Sequence, residues 1–366
     1  MNITYLIGSL AAGGKERQLI YLLRELSKEH NIQLIIFNEN IFYKEILALT
    51  ITIKAIPLNK KYSLNTFKLI YKTLKRFQPT IIHSWSNNIT LLTLPYLILH
   101  PKLKLVSSIR YAGKLKKSFK GKITKILTWS RSSAFVSNSK RGLEVENLSN
   151  NPKGIVIHNG IDLISFDSNS KEIKEDLKQF DRFIKKVVMI GRFYPSKDYI
   201  TFIKSAKLIS QNNKEICFLC IGNGPKRFKA ENEAKHFLNK NIFFLGNRKD
   251  IPSLINKMDI GVLLNNINGH AEGISNVIME YMAAGLPVVA TNAGGTPDLI
   301  QNNVSGFLVP AFDQNIVTEK ILYLINNPRR AREMGQAGRE IIKNDFSSKK
   351  MTDSYLKLYE LISNKN

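Results

Sequence analysis

A chain of 366 residues with 43% hydrophobic content can bury two ordinary cores, and nothing in it reads as a tail or a repeat array. Its 54 Lys and Arg against 29 Asp and Glu give a net charge of +25, concentrated early: residues 46–143 hold 19 basic side chains and no acid. The longest apolar run, ITLLTLPYLILH at 89–100, contains Pro95 and is too short to span a bilayer, and no Lys or Arg precedes the first apolar run as a signal peptide would require.

In chain order, NITYLIGSL reads as a strand ending at Gly13-Gly14, and KERQLIYLLRELSKE follows with apolar residues at helical spacing. IQLIIF, ITIKAI, TIIHSW, LKLVSSI, AFVSNS and IVIHNG are further strand candidates. The polar stretch 167–182 reads as a linker plus a surface helix. The plan then repeats: KKVVMIGRF as a buried strand, a turn with Pro195, and YITFIKSAKLIS as a helix, followed by strands ICFLCIG, NIFFLG, IGVLLN and LPVVATNA. Strands alternating with helices imply parallel sheets with crossover helices, hence an α/β chain of two doubly wound domains. The expected division is 1–165, 166–345, and a C-terminal helix, 346–366, free to cross back to the first domain. Cys217 and Cys220 form a CxxC, but strand alternation would point them to opposite faces and no second pair exists, so neither metal nor redox use is expected and a cytosolic location follows.

HAEGISNVIMEYMAAGLPVVA, 270–290, carries two glutamates eight positions apart in an otherwise neutral stretch. Val277, Ile278, Tyr281 and Met282 recur at helical spacing, and Gly285 with Pro287 is a helix stop. Glu272 then precedes the helix and Glu280 lies inside it, roughly 10 to 12 Å apart along the axis, about the span from ribose to sugar in a nucleotide sugar. The N–H groups of Ile274, Ser275 and Asn276 would face a diphosphate between them. An amphipathic helix with one capping acid and one exposed acid accounts for the spacing alone equally well. In doubly wound sheets ligands sit beyond the carboxyl ends of strands, which adds Gly13-Gly14, Arg192, Lys197, Asn223-Gly224, Asn247 and Arg248 to the candidates.

Taken together, GRFYPSKD, IGNGP at 221–225, FLGNRKD at 244–250, EGISNVIME, AAGLPVVAT and the downstream GG with TPDLI resemble the donor domain of retaining glycosyltransferases of family 4, which have the GT-B fold: two Rossmann-like domains facing across a cleft. Gly-Gly at 13–14 and VIHNGID at 156–162 extend the resemblance through the first half. It implies that Arg192 and Lys197 bind the diphosphate, that Glu272 contacts the donor sugar and that Glu280 contacts the ribose. Gly14, Gly222, Arg248, Gly273, Ile274, Ser275 and Asn276 complete the implied donor site. His83 and Arg110 are expected on the acceptor side, with Arg110 standing where many members carry His.

The implied reaction is retaining transfer of a hexosyl or N-acetylhexosaminyl group from a nucleotide diphosphate sugar, UDP favoured over GDP, to a lipid-linked or oligosaccharide acceptor in polysaccharide or glycan assembly. Fixed cations and a helix N-terminus would stabilise the leaving diphosphate, and no Asp-x-Asp offers metal ligands, so no metal and no cofactor are expected. The basic stretch 110–131, with Lys116, Lys117, Lys120 and Lys122 interleaved with Phe119 and Trp129, suits an anionic membrane surface and a peripheral place on the inner face of the cytoplasmic membrane. A lysine-rich solvated face and nucleic-acid binding are the competing readings of that stretch, though no nucleic-acid motif occurs and no nucleic-acid partner is expected. A nucleotide-sugar epimerase of the same fold is the competing enzyme.

Overall fold

The computed structural model describes residues 1–56, 63–113, 119–166, 175–268 and 272–364. The chain divides into two units, Met1–Gly160 with Ser348–Asn366, and Ile161–Ser347.

The first unit is built on seven strands: β1 Asn2–Ile7, β2 Asn31–Ile36, β3 Thr52–Ala55, β4 Ile81–Ser84, β5 Lys104–Ile109, β6 Ser132–Ser137 and β7 Gly154–Val156. All pairs are parallel, in the order β3-β2-β1-β4-β5-β6-β7. The order reverses between β1 and β4, where crossovers leave to opposite sides and the carboxyl ends of the strands open a crevice. One face of the sheet packs Ile3, Tyr5 and Leu34 against the helices Gly14–Leu26 and Ser348–Ser363. The other packs Leu6, Ile35 and Ile82 under Leu64–Phe77 and Leu94–Leu99. The last long helix of the chain thus completes the first unit: Met351, Tyr355, Leu358, Tyr359 and Ile362 recur on one helical stripe and are buried, each contributing about 1.5 to 3 kcal/mol by area.

The second unit holds β8 Lys185–Ile190, β9 Ile216–Ile221, β10 Ile242–Gly246, β11 Ile260–Leu263, β12 Val288–Thr291 and β13 Gly306–Val309, all parallel in the order β10-β9-β8-β11-β12-β13. Its reversal lies between β8 and β11. The strand β13 is absent from the sequence expectations, because GFLV is short and opens with the glycine that Val288 O and Ile300 crowd. The stretch 167–182 is not a linker in its described part: the boundary falls earlier, and Leu177 and Phe180 are in the second core. Cys217 and Cys220 point to opposite faces of β9 as alternation requires. Burial pushes the Cys217 thiol up to about 12, and raises Cys220 as well.

Candidate active site

The carboxyl ends of the second sheet are held together by backbone lying directly on backbone. Gly222, at the end of β9, has φ +130°, and a Cβ there would stand 2.0 Å from Gly191 O at the end of β8. Gly224 does the same against Phe193 O at 2.7 Å. The Tyr199 hydroxyl donates to Gly191 O at 2.8 Å and Ile221 O at 2.9 Å, and its ring stacks on Phe193. These contacts fix the loop that carries Arg192 and Lys197.

Lys197 extends along Gly191 and donates to Glu272 Oε2 at 2.7 Å and Asn265 Oδ1 at 3.0 Å. The lysine side chain is only 7% exposed while that of Glu272 is 41% exposed, so the carboxylate faces solvent from a buried cation. Arg192 is exposed, lies over the Tyr194 ring at 5.1 Å, and has no carboxylate partner among the described residues.

Glu272 and Gly273 are seated on the loop after β12. Gly294 has φ +61°, and a Cβ on it would meet Glu272 O at 2.2 Å; Gly295 N–H donates to the same oxygen at 3.1 Å. Ser275 then takes the N-cap position of the helix Asn276–Ala283 with extended backbone, and Glu280 lies a turn inside, buried. Ile274 is buried beside the cap and Asn276 is the first helical residue. Tyr281 anchors this helix across two strands, accepting from Ile190 N–H at 2.8 Å with its ring against Gly261. The helix stops where the sequence places its stop: Gly285 has φ +75°, and Leu286 N–H returns to Tyr281 O at 3.0 Å. Residues 269–271, including His270, lie outside the described residues.

The structure therefore brings Arg192, Lys197, Gly222, Glu272, Gly273, Ile274, Ser275, Asn276 and Glu280 to one end of the second sheet, and it adds Asn265 and the Gly294-Gly295 loop. Asn265 carries a readable signal, since it is the first polar residue after an apolar strand. Arg248 follows β10 on the same sheet end. Its guanidinium donates to both oxygens of Asp250 and is paired with Asp176, leaving its side chain 8% exposed and its pKa raised by those two carboxylates. It braces the loop after β10, held by carboxylates as Lys197 is held by Glu272.

In the first unit Gly14 opens the helix Gly14–Leu26 behind Gly13, whose carbonyl accepts from the Tyr43 hydroxyl at 3.1 Å. His83 is a correction. It lies within β4, not beyond it, and is 0% exposed. Its Nδ1 is 2.6 Å from the Tyr359 hydroxyl, which is 2.8 Å from that of Tyr5, and its Nε2 is 2.8 Å from Ser108 Oγ. Both ring nitrogens are engaged, so no acceptor reaches it. Arg110, immediately after β5, is clamped: its Cζ sits 3.8 Å over the Trp85 ring, and it donates to the Tyr355 hydroxyl at 2.5 Å and Asn159 Oδ1 at 3.3 Å.

Burial, then the nearby Arg110 charge, hold the His83 pKa well below the usual 6.5. The folded protein keeps this imidazole neutral while the unfolded chain protonates it below about 6.5, so the unfolded state binds the extra proton and stability falls with falling pH in that window. The expected slope is about 1.4 kcal/mol per pH unit below pH 6.5. Denaturant unfolding at a series of pH values should show this slope in the wild type and its loss in His83→Asn; equal slopes would mean His83 charges freely in the folded state.

Over residues 153–341, more than half of the chain, the sequence matches the family model described as glycosyl transferases group 1. The chain belongs to this family. Residues 12–164 match a second model, glycosyltransferase family 4. Among curated relatives of this chain, a UDP-Gal:alpha-D-GlcNAc-diphosphoundecaprenol alpha-1,3-galactosyltransferase of Escherichia coli is 29% identical over 57% of this chain and 55% of its own. The capsular polysaccharide biosynthesis glycosyltransferase CapM of Staphylococcus aureus is 28% identical over 55% of this chain and 52% of its own. The chain thus spans about half the length of these two relatives. In fold, the chain superposes on Anabaena Alr3699/HepE, solved in complex with UDP-glucose, with a TM-score of 0.83 at 18% identity over 98% of this chain and 99% of that one. The fold is GT-B.

Proposed function

We propose that the protein is a retaining glycosyltransferase that moves a hexosyl or N-acetylhexosaminyl group from a nucleotide diphosphate sugar to a saccharide acceptor during polysaccharide or glycan assembly. The observation that carries the reading is the seating of Glu272 on buried Lys197 at the strand ends, beside exposed Arg192 and ahead of the helix that contains Glu280. Two cations and a helix N-terminus at one locus suit a leaving diphosphate, on which charge develops as the glycosidic bond breaks. Glu272 addresses the sugar hydroxyls and Glu280 the ribose; no cofactor enters the reaction. The UDP-glucose bound by the Anabaena protein and the UDP-Gal in the E. coli enzyme's name favour UDP as the nucleotide.

Incubation with UDP-glucose, UDP-galactose and their N-acetylated counterparts, with and without a saccharide acceptor, tests this reading. Acceptor-dependent release of UDP is expected. Interconversion of free nucleotide sugars without acceptor would give the epimerase instead. Within the same assay Glu280→Gln should raise KM for donor with a smaller effect on kcat, since ribose contacts persist in ground and transition states, whereas Glu272→Gln should lower kcat. A change in melting temperature alone, with kinetics intact, would leave the pair as parts of a helix.

The acceptor is proposed to be lipid-linked, as the E. coli relative's diphosphoundecaprenol acceptor suggests, and the protein to work peripherally on the inner face of the cytoplasmic membrane. Support comes from the helix Phe119–Ser130, where Ile123, Ile126 and Leu127 are 42%, 67% and 47% exposed with Lys122 exposed among them. Ile98 and Leu99 at the end of Leu94–Leu99 are 66% and 64% exposed, and Arg131 ties the two helices by donating to Leu97 O at 2.9 Å. Trp129 is half-buried, packing on Phe135 at 4.7 Å beneath Lys125. Lys116 and Lys117 lie outside the described residues. No helix among the described residues is long and apolar enough to cross a membrane. Wild type should sediment with anionic vesicles at low salt and be released by high salt. Changing Lys116, Lys117, Lys120 and Lys122 to Gln should weaken binding by about 1 kcal/mol per lysine. Recovery of both proteins in the supernatant under every condition would exclude the membrane.

A further inference from the structure

A groove in the first unit lies away from the strand ends that carry Gly14 and Arg110. The helix Leu64–Phe77 crosses the sheet face with Lys72, Arg76 and Phe77 on one stripe, at the i, i+4, i+5 spacing of neighbouring turns. Opposite them a polar row runs across three strands otherwise rich in Ile and Leu: Thr4, Gln33 and Thr52 are register partners in β1, β2 and β3. Between helix and strands is a cavity of about 530 Å³ lined by Gln33, Thr52, Lys54, Lys72, Arg76 and Phe77 among others.

Two independent features point to an anionic occupant. First, Lys54, Lys72 and Arg76 have no carboxylate partner among the described residues, and no acid occurs anywhere in 46–143 to supply one locally. Lys54 on the edge strand β3 also discourages edge-to-edge pairing, but that role does not require cations on the facing helix. Second, Gln33 is 4% exposed; its Oε1 accepts from Thr4 Oγ1 at 3.1 Å, while its Nε2 has no partner among the described residues. That amide opens onto the groove, where an accepting group can reach it. Three cations, one neutral donor and the Thr52 hydroxyl match the acceptor-only surface of a phosphate group, and Phe77 offers apolar contact to whatever bears it.

We infer that this groove binds a phosphate-bearing ligand, with Gln33, Lys54, Lys72 and Arg76 as its recognition groups. The site is independent of the donor reading, since it shares no residue with it. It is tested on the full chain labelled with 15N-glutamine, the Gln33 side-chain amide being assigned through Gln33→Glu. Titration with inorganic phosphate should move that amide saturably, and Lys72→Gln with Arg76→Gln, both on exposed positions, should weaken the response about ten-fold or more. An unmoved Gln33 amide, or the same midpoint in the wild type and the double variant, would overturn the site. Vesicles separate the sources: competition with free phosphate by phosphatidic acid but not phosphatidylcholine vesicles identifies a lipid headgroup, and competition by neither identifies a soluble phosphate ester.

Discussion

Replacing Lys197 by alanine is expected to lower kcat/KM for sugar transfer by roughly 100- to 1000-fold, about 2.7 to 4 kcal/mol of transition-state stabilisation. The lysine is fixed twice, by Asn265 and by Glu272, so its charge needs no reorganisation as the diphosphate departs. The fold should lose about 1 to 3 kcal/mol, since the lysine side chain is buried and its removal leaves Asn265 Oδ1 without its donor. Glu272 is 41% exposed and hydrates when its partner is removed, and partly exposed ion pairs contribute only about 0 to 1 kcal/mol. Steady-state kinetics alongside a melting curve decide the matter: normal turnover in a normally folded variant would take Lys197 out of the site.

Gly222→Ala should have the largest effect on stability. The new methyl would stand 2.0 Å from Gly191 O and 2.8 Å from its carbonyl carbon, at φ +130°, so β8 and β9 must part at the end that carries Arg192. A loss on the order of 3 kcal/mol or more is expected, roughly 6 to 12 °C in the melting of the second unit. Gly285→Ala is the internal control. Its φ of +75° is also left-handed, but nothing lies within 4 Å, so it should cost about 1 kcal/mol. Equal shifts for the two would mean that dihedral strain, not the backbone contact, sets the Gly222 requirement.

The double sheet was legible because fully buried parallel strands are near-continuous apolar runs, as in VVMI and ICFLCI, and each is followed by glycine or a polar residue where the chain turns. The Glu272 to Glu280 helix was legible for a related reason: its start and stop are both local. What stayed hidden depends on partners distant in sequence. Nothing near Arg248 in sequence announces its pairing with Asp176, 72 residues away. His83 looks like a strand-end ligand until Tyr359, 276 residues on, takes its Nδ1. The linker reading of the polar stretch failed for the same reason, since only the packed core shows that Leu177 and Phe180 belong to the second unit.

The return of Ser348–Ser363 to the first sheet orders the birth of the protein as well as its packing. During synthesis the residues of β1–β7 leave the ribosome first, yet the face around Tyr5 and His83 stays open to water until Tyr355 and Tyr359 have been made. The second unit, continuous from Ile161 to Ser347, can close on itself sooner. The usual amino-terminal-first sequence of domain folding is therefore expected to invert here, with an unfinished apolar sheet on the nascent chain for a chaperone to shield.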